Sequence, residues 1–128
     1  MISSIDHFQG RPLIIRIKMD VDIGIHKSVL RILDCPKNVH FWWSEKEKTL
    51  AISGVSEPTE LSISIPDHFY RHGTGGSKLK NAKIRKALKN LADWKDKSVH
   101  VLTGVFIPEF KIVVFKTNEE KTEVQSNV

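Results

Sequence analysis

The 128 residues hold one cysteine, Cys35, so the chain cannot close an internal disulfide. That usage fits a reducing compartment. No apolar run approaches the roughly 20 residues that a membrane-spanning helix needs, so no membrane partner is expected. The opening MISSIDHFQGRP has neither a basic start nor an apolar signal core, and nothing in it argues for export. A cytoplasmic protein is the expectation. Chemistry is also thinly represented. No Ser/His/Asp or Cys/His set, paired acids or cofactor fingerprint stands out, so neither an enzyme nor a cofactor is expected. Residues 73–77, GTGGS, are glycine-rich but lack the G-x4-G-K-[ST] spacing of a phosphate loop. They read as a joint. Cys35, beside Pro36, reads as a small buried apolar residue, not a nucleophile.

Acid is missing from one particular place. Between residues 77 and 97 stand Lys78, Lys80, Lys83, Arg85, Lys86, Lys89, Lys95 and Lys97, against Asp93 and Asp96 only. That window carries +6 and the rest of the chain −1, so the whole net charge of +5 originates there. Inside it, Asn81 is a good N-cap, and Ile84, Ala87, Leu88 and Leu91 recur at i, i+3, i+4 and i+7. A helix over 82–91 follows, with Lys83, Arg85, Lys86 and Lys89 on its other face. A solvated helix face normally mixes both signs in i,i+4 pairs. A face of one sign would displace counterions from a phosphate backbone.

Elsewhere the pattern is mostly β. Ile15, Ile17 and Met19 alternate with Arg16 and Lys18, the period of a half-buried strand over 13–19. Residues 23–25 form a second short strand and 27–33 a two-turn helix that Pro36 terminates. Residues 39–43 and 49–55 read as a hairpin with the charged tip 44–48, and LSISI at 61–65 as a further strand. Residues 67–72 fit one helical turn capped by Asp67, while 99–103 and 111–116 close the pattern as strands. Residues 1–10 read as a mobile lead-in, 117–128 as a disordered tail, and 11–116 as one globular domain. A mainly β fold with two or three short helices is expected.

A worn repeat runs through this order. Val39-His40-Phe41 matches Val99-His100-Val101 at an offset of 60, and the helix at 28–33 overlies 86–91 two residues out of step. Each copy reads helix, short Lys-containing turn (Lys37, Lys97), then Val-His-apolar. Two half-units, about 11–56 and 61–116 with the joint near 73–77, would bury their apolar faces against each other, being too small for separate cores. His40 and His100 alternate with apolar neighbours and are expected to point away from the core.

The stretch 23–52 resembles the AbrB/SpoVT/MazE family of swapped-hairpin DNA-binding domains. Ile23-Gly24-Ile25-His26-Lys27 lies where that family has I-x-I-P-K. Leu30-Arg31-Ile32-Leu33 lies on its helix, Lys37-Asn38-Val39 on its G-D-V turn and Glu45 to Lys48 on its hairpin tip. The resemblance implies a swapped-hairpin-like β-barrel, here from two pseudo-repeated halves of one chain. The departures bear on function. His26 replaces the family's Pro, Asp22 stands where many members place an Arg that faces DNA, Asn38 replaces the Asp of the turn, and Leu30 takes a basic helix position.

These features converge on a DNA-binding protein, an AbrB-like transcriptional regulator or antitoxin-type protein. It would contact duplex DNA through Lys83, Arg85, Lys86 and Lys89, with Arg31, Lys27, Arg16 and Lys18 contributing from the first half. The alternative is an interaction or oligomerisation module of the same fold without nucleic-acid binding. That alternative rests on Asp22, on Leu30, and on the adjacent Trp42 and Trp43, one of which must face outward and offers a homodimer contact. Stacking of single-stranded nucleic acid on Trp42, Trp43 and Trp94 is a third, weaker reading. His68 and His72 share i,i+4 spacing but lack a third ligand, so no metal site is expected.

Overall fold

A computed structural model describes residues 12–71, 76–79, 81–92, 94, 95 and 97–117. The strands are β1 (Ile14–Lys18), β2 (Asp22–His26), β3 (Asn38–Ser44), β4 (Thr49–Val55), β5 (Ser62–Ser64), β6 (Gly76–Leu79), β7 (Val99–Ile107) and β8 (Ile112–Lys116). The helices are α1 (Lys27–Ile32), α2 (Asp67–Arg71) and α3 (Ala82–Ala92). All eight strands join one curled antiparallel sheet in the order β5-β3-β4-β8-β7-β1-β2-β6. Among the described residues no helix is long and apolar enough to cross a membrane.

Period-two alternation builds the core. Ile15 and Ile17, Ile23 and Ile25, Leu50 and Ile52, and Val113 and Phe115 are all fully buried, and Val29 and Leu30 of α1 with Ile84 and Leu88 of α3 join the same cluster. Each such side chain contributes about 1.5–3 kcal/mol by leaving water. The packing also explains Leu30. It is core, so a charge at that position would have to be buried.

β7 is the strand on which the sheet turns. Its first half, Val99 to Thr103, pairs with β1, and its second half, from Gly104, pairs with β8. A Cβ at Gly104 would lie 2.7 Å from both Phe115 Cε2 and Val113 Cγ1. The strand changes partner where only hydrogen fits. The sequence reading ended this strand at 103; it runs on through the glycine.

Local chemistry fixes the connections. α1 ends at Leu33, and Asp34 and Cys35 follow with φ of 66° and 49°. Their amides donate back to the carbonyls of Arg31 and Leu30. Cys35 is therefore exposed on a turn and not a buried apolar residue. The Tyr70 hydroxyl donates to the Pro36 carbonyl at 2.6 Å, tying α2 to the same turn. Buried Asn38 donates from Nδ2 to the Ser56 carbonyl and accepts from Ser64 Oγ, joining β3 to the segments on either side.

Three expectations are corrected. Gly76 and Ser77, assigned to a joint, belong to β6, which pairs with β2; GSKL carries no alternation to announce a strand, and the rest of the joint, 73–75, lies outside the described residues. The lead-in 1–10 and nearly all of the tail 117–128 also lie outside them. The offset of 60 is one residue out of phase. Val39 and Phe41 face the core, whereas Leu102 opposite Ile15 sets the inward parity of β7 and leaves Val101 on the outer face opposite Arg16. An offset of 61 restores the phase and agrees with the pairing of Ile52 with Val113. A one-residue slip inverts every side chain. His100 accordingly faces inward beside Ile17, stacked on Trp94 with ring centroids 3.9 Å apart, and does not point away from the core.

Candidate nucleic-acid interface

The helix rich in lysine is positioned by its N-cap and its apolar stripe. Asn81 Oδ1 accepts the Ile84 amide at 2.9 Å, satisfying one of the open donors of the first turn. Ile84 and Leu88 press into the core. At 100° per residue that places Lys86 on the far side of α3, with Lys83 and Lys89 about 120° from the stripe on either side. All three are exposed, and the helix AKIRKALKNLA contains no acid.

Arg85 is used differently. Its Nη1 donates to the Met19 carbonyl at 2.9 Å, in the β1–β2 turn, and its Nε is buried without a hydrogen-bond partner among the described residues. The guanidinium fixes α3 against that turn and is not presented outward for a bidentate phosphate contact. Sequence periodicity cannot separate it from its three lysine neighbours, because a backbone acceptor leaves no sequence signal.

Arg16 and Lys18 project from the outer face of β1, opposite Gly24 and Asp22 of β2. Lys18 immediately precedes Met19, so it lies toward α3. Asp22 is an acid within this group, and it is 9% exposed. His26 lies beside Arg16 at the end of β2. Its pKa is lowered below the usual imidazole value, first by partial burial and then by the Arg16 charge.

The two helices do not share an end of the sheet. β6 runs antiparallel to β2, with His26 opposite Gly76 and Ile23 opposite Leu79. α1 thus departs at one end of this strand pair and α3 follows from the other, about 14 Å apart at strand rise. Lys27 and Arg31 belong to the α1 end. Lys27 is buried and engaged within the chain, so it leaves the set of surface contacts. Arg31 is half-buried. The eight side chains therefore separate: Lys83, Lys86 and Lys89 are exposed on α3, while Arg16 and Lys18 lie on the outer face of β1.

The tryptophans do not form a common platform. Trp94 is buried against His100, and Trp43 packs on the core with its indole N–H unpaired among the described residues. Trp42 alone is exposed, at 54%, its Nε1 donating to Ser53 Oγ at 2.9 Å and its ring tilted against His40. Among the described residues no group of three or more His, Cys, Asp or Glu is arranged to hold a metal ion, and His72 lies outside them.

No protein-family model matches the chain, and no curated protein or solved structure matches it.

Proposed function

We propose that this chain is a duplex-DNA-binding protein of the transcriptional-regulator or antitoxin kind, with two AbrB-like swapped-hairpin halves fused in one polypeptide. The observation that carries the binding is the exposure of Lys83, Lys86 and Lys89 on α3, a helix with no acid of its own, with Lys18 and Arg16 on β1 as further basic groups. Lysine ammoniums on a rigid helix release phosphate counterions without reading bases. Arg85 orients the helix and is a positioning residue here.

The pairing network supports the fused architecture. Exchanging strands 1–4 with strands 5–8 turns β3–β5 into β7–β1 and β3–β4 into β7–β8, and leaves β2–β6 and β4–β8 in place. One pairing lacks its counterpart: β1–β2 exists and β5–β6 does not. In this arrangement the second half has taken over the charge that the first half lacks at Asp22, His26 and Leu30.

Fluorescence anisotropy with labelled duplex, at two salt concentrations, tests the reading. Strong retention at low salt that collapses at high salt, and is abolished by Lys83→Glu/Lys86→Glu/Lys89→Glu, is the expected result. Equal binding by that variant removes the site. A protein-interaction role without DNA is favoured by one specific observation, an apolar row on the outer sheet face, and absence of retention even at low salt would select it.

A further inference from the structure

Beyond the basic arc, the outer face of the sheet carries an apolar row that spans four strands. Trp42 of β3 pairs with Ala51 of β4, Ala51 with Val114 of β8, and Val114 with Val105 of β7. Their inward neighbours, Phe41, Leu50, Ile52, Val113 and Phe115, fill the core, so these four side chains face out together. The two ends are the most open: Trp42 is 54% and Val105 64% exposed. Ile112, paired with Ile107, widens the row on one side. At that corner a groove of about 690 Å³ opens between Trp42 and Phe110, which is 74% exposed at the β7–β8 turn. Trp42 and Ser53, which share a hydrogen bond, line this groove, and Lys111 at its rim pairs with Asp34.

We infer that this face is a self-association surface, and that its occupant is the same face of a second copy of the chain. Two observations select that occupant. The first is charge. At one end of the strands lie Glu45, Lys46, Glu47, Lys48 and Lys116, and at the other Asp34, Lys37, Glu57, Glu109 and Lys111. The ten together are neutral, one end at +1 and the other at −1. A polyanion finds no net attraction there, whereas a reversed copy of the same rim does. The second is size. Four strands at about 4.8 Å spacing, with three outward rows along each, make a face of roughly 400 Å² in projection. With the groove and the projecting Phe110 it approaches the ~600 Å² per partner at the lower limit of specific interfaces. An exposed Trp at one end, already fixed by a cross-strand hydrogen bond, supplies an anchor that loses little freedom on docking.

This inference is separate from the DNA-binding reading, because the row lies on β3, β4, β8 and β7, and α3 packs beyond β2. The test is the mass of the full chain by sedimentation velocity across a micromolar concentration series. It compares wild type, Trp42→Lys, Val105→Glu and the control Lys83→Glu/Lys86→Glu. Wild type and control are expected to approach twice 14.6 kDa. Each surface variant, its fold checked by circular dichroism, is expected to dimerise about tenfold or more weakly. Val105→Glu guards against a folding defect at Trp42, because its side chain makes no hydrogen bond. A wild-type chain that stays monomeric throughout overturns the inference, and so does a dimer that survives both substitutions. The control separates the two readings, since it should lose DNA and keep its mass.

Discussion

Removing the three outward lysines of α3 without reversing their sign gives the most quantitative test of the proposed binding surface. Lys83, Lys86 and Lys89 are exposed and make no contribution to the apolar stripe of Ile84 and Leu88. Alanine favours helix slightly more than lysine, so Lys83→Ala/Lys86→Ala/Lys89→Ala should keep α3 intact, with stability changes of about 0.5 kcal/mol or less per site. The effect on binding is far larger. Contacts from Lys83, Lys86, Lys89, Lys18 and Arg16 give an expected slope of about −4.5 for log K against log salt, so raising salt from ~50 to ~200 mM weakens wild-type binding about 500-fold. The variant retains Lys18 and Arg16, a slope of about −1.8, and a loss of about 12-fold over the same range. The assay is anisotropy of a labelled duplex at several salt concentrations, read as a slope and not as one affinity. An unchanged slope in the variant refutes the placement of the contacts on α3, and a flat wild-type slope refutes the polyanion itself.

Three further outcomes follow from individual residues. Gly104→Ala forces a methyl against buried Phe115 and Val113; overpacking of about 1–3 kcal/mol should lower the calorimetric Tm by about 4 °C per kcal/mol, and an unchanged Tm would mean that β7 does not change partner at that residue. For His26, partial burial and then Arg16 disfavour the imidazolium, so the unfolded chain binds more protons. That contribution to stability is present above the unfolded value of 6.5 and is lost as pH falls through 6.5 toward the lowered folded value; in an NMR titration Arg16→Gln should move the His26 pKa upward, and no upward movement would discount the Arg16 charge as a cause. Asn81→Ala removes the cap of α3 and should cost about 1 kcal/mol in denaturant unfolding, whereas Asn81→Asp keeps the accepting oxygen and most of the stability. Equal loss in both would assign the effect to the amide on the Ser62 carbonyl instead.

What could be read from the sequence was what obeys a local period. The strand over 49–55, the hairpin tip before it and the helix following Asn81 all carry either period two with turn residues or period 3.6 with a cap. β6 has neither, only GSKL, and exists because β2 offers it a paired edge. The outer row was visible only as one outward Trp, since its members come from four strands and touch only through register. Arg85 looked like its lysine neighbours because helical position states which way a Cα–Cβ bond leaves, not which carbonyl lies at the end of a long side chain. Lys27 was misplaced for a related reason. A residue at a strand–helix junction has no period to report its burial.

The one unmatched strand pairing has a covalent origin. β1 and β2 are joined through Met19, Asp20 and Val21, with the Val21 amide donating to the Lys18 carbonyl, a connection short enough to enforce a hairpin. Between β5 and β6 the chain instead passes through Pro66 and the helix α2, whose Tyr70 is held on the Pro36 carbonyl. A hairpin cannot form across that insertion, so β5 and β6 remain the two edges of the sheet. They are nonetheless spanned at one point, where Asn81 Nδ2, just after β6, donates to the Ser62 carbonyl of β5 at 3.5 Å. The same side chain caps α3, so a hydrogen bond to one sheet edge and the start of the basic helix share one residue. Shortening the 65–75 connection should therefore do more than tighten a loop. By letting β5 reach β6 it would displace Asn81 from the cap of α3, and denaturant unfolding should then show a loss of about 1 kcal/mol, as for Asn81→Ala.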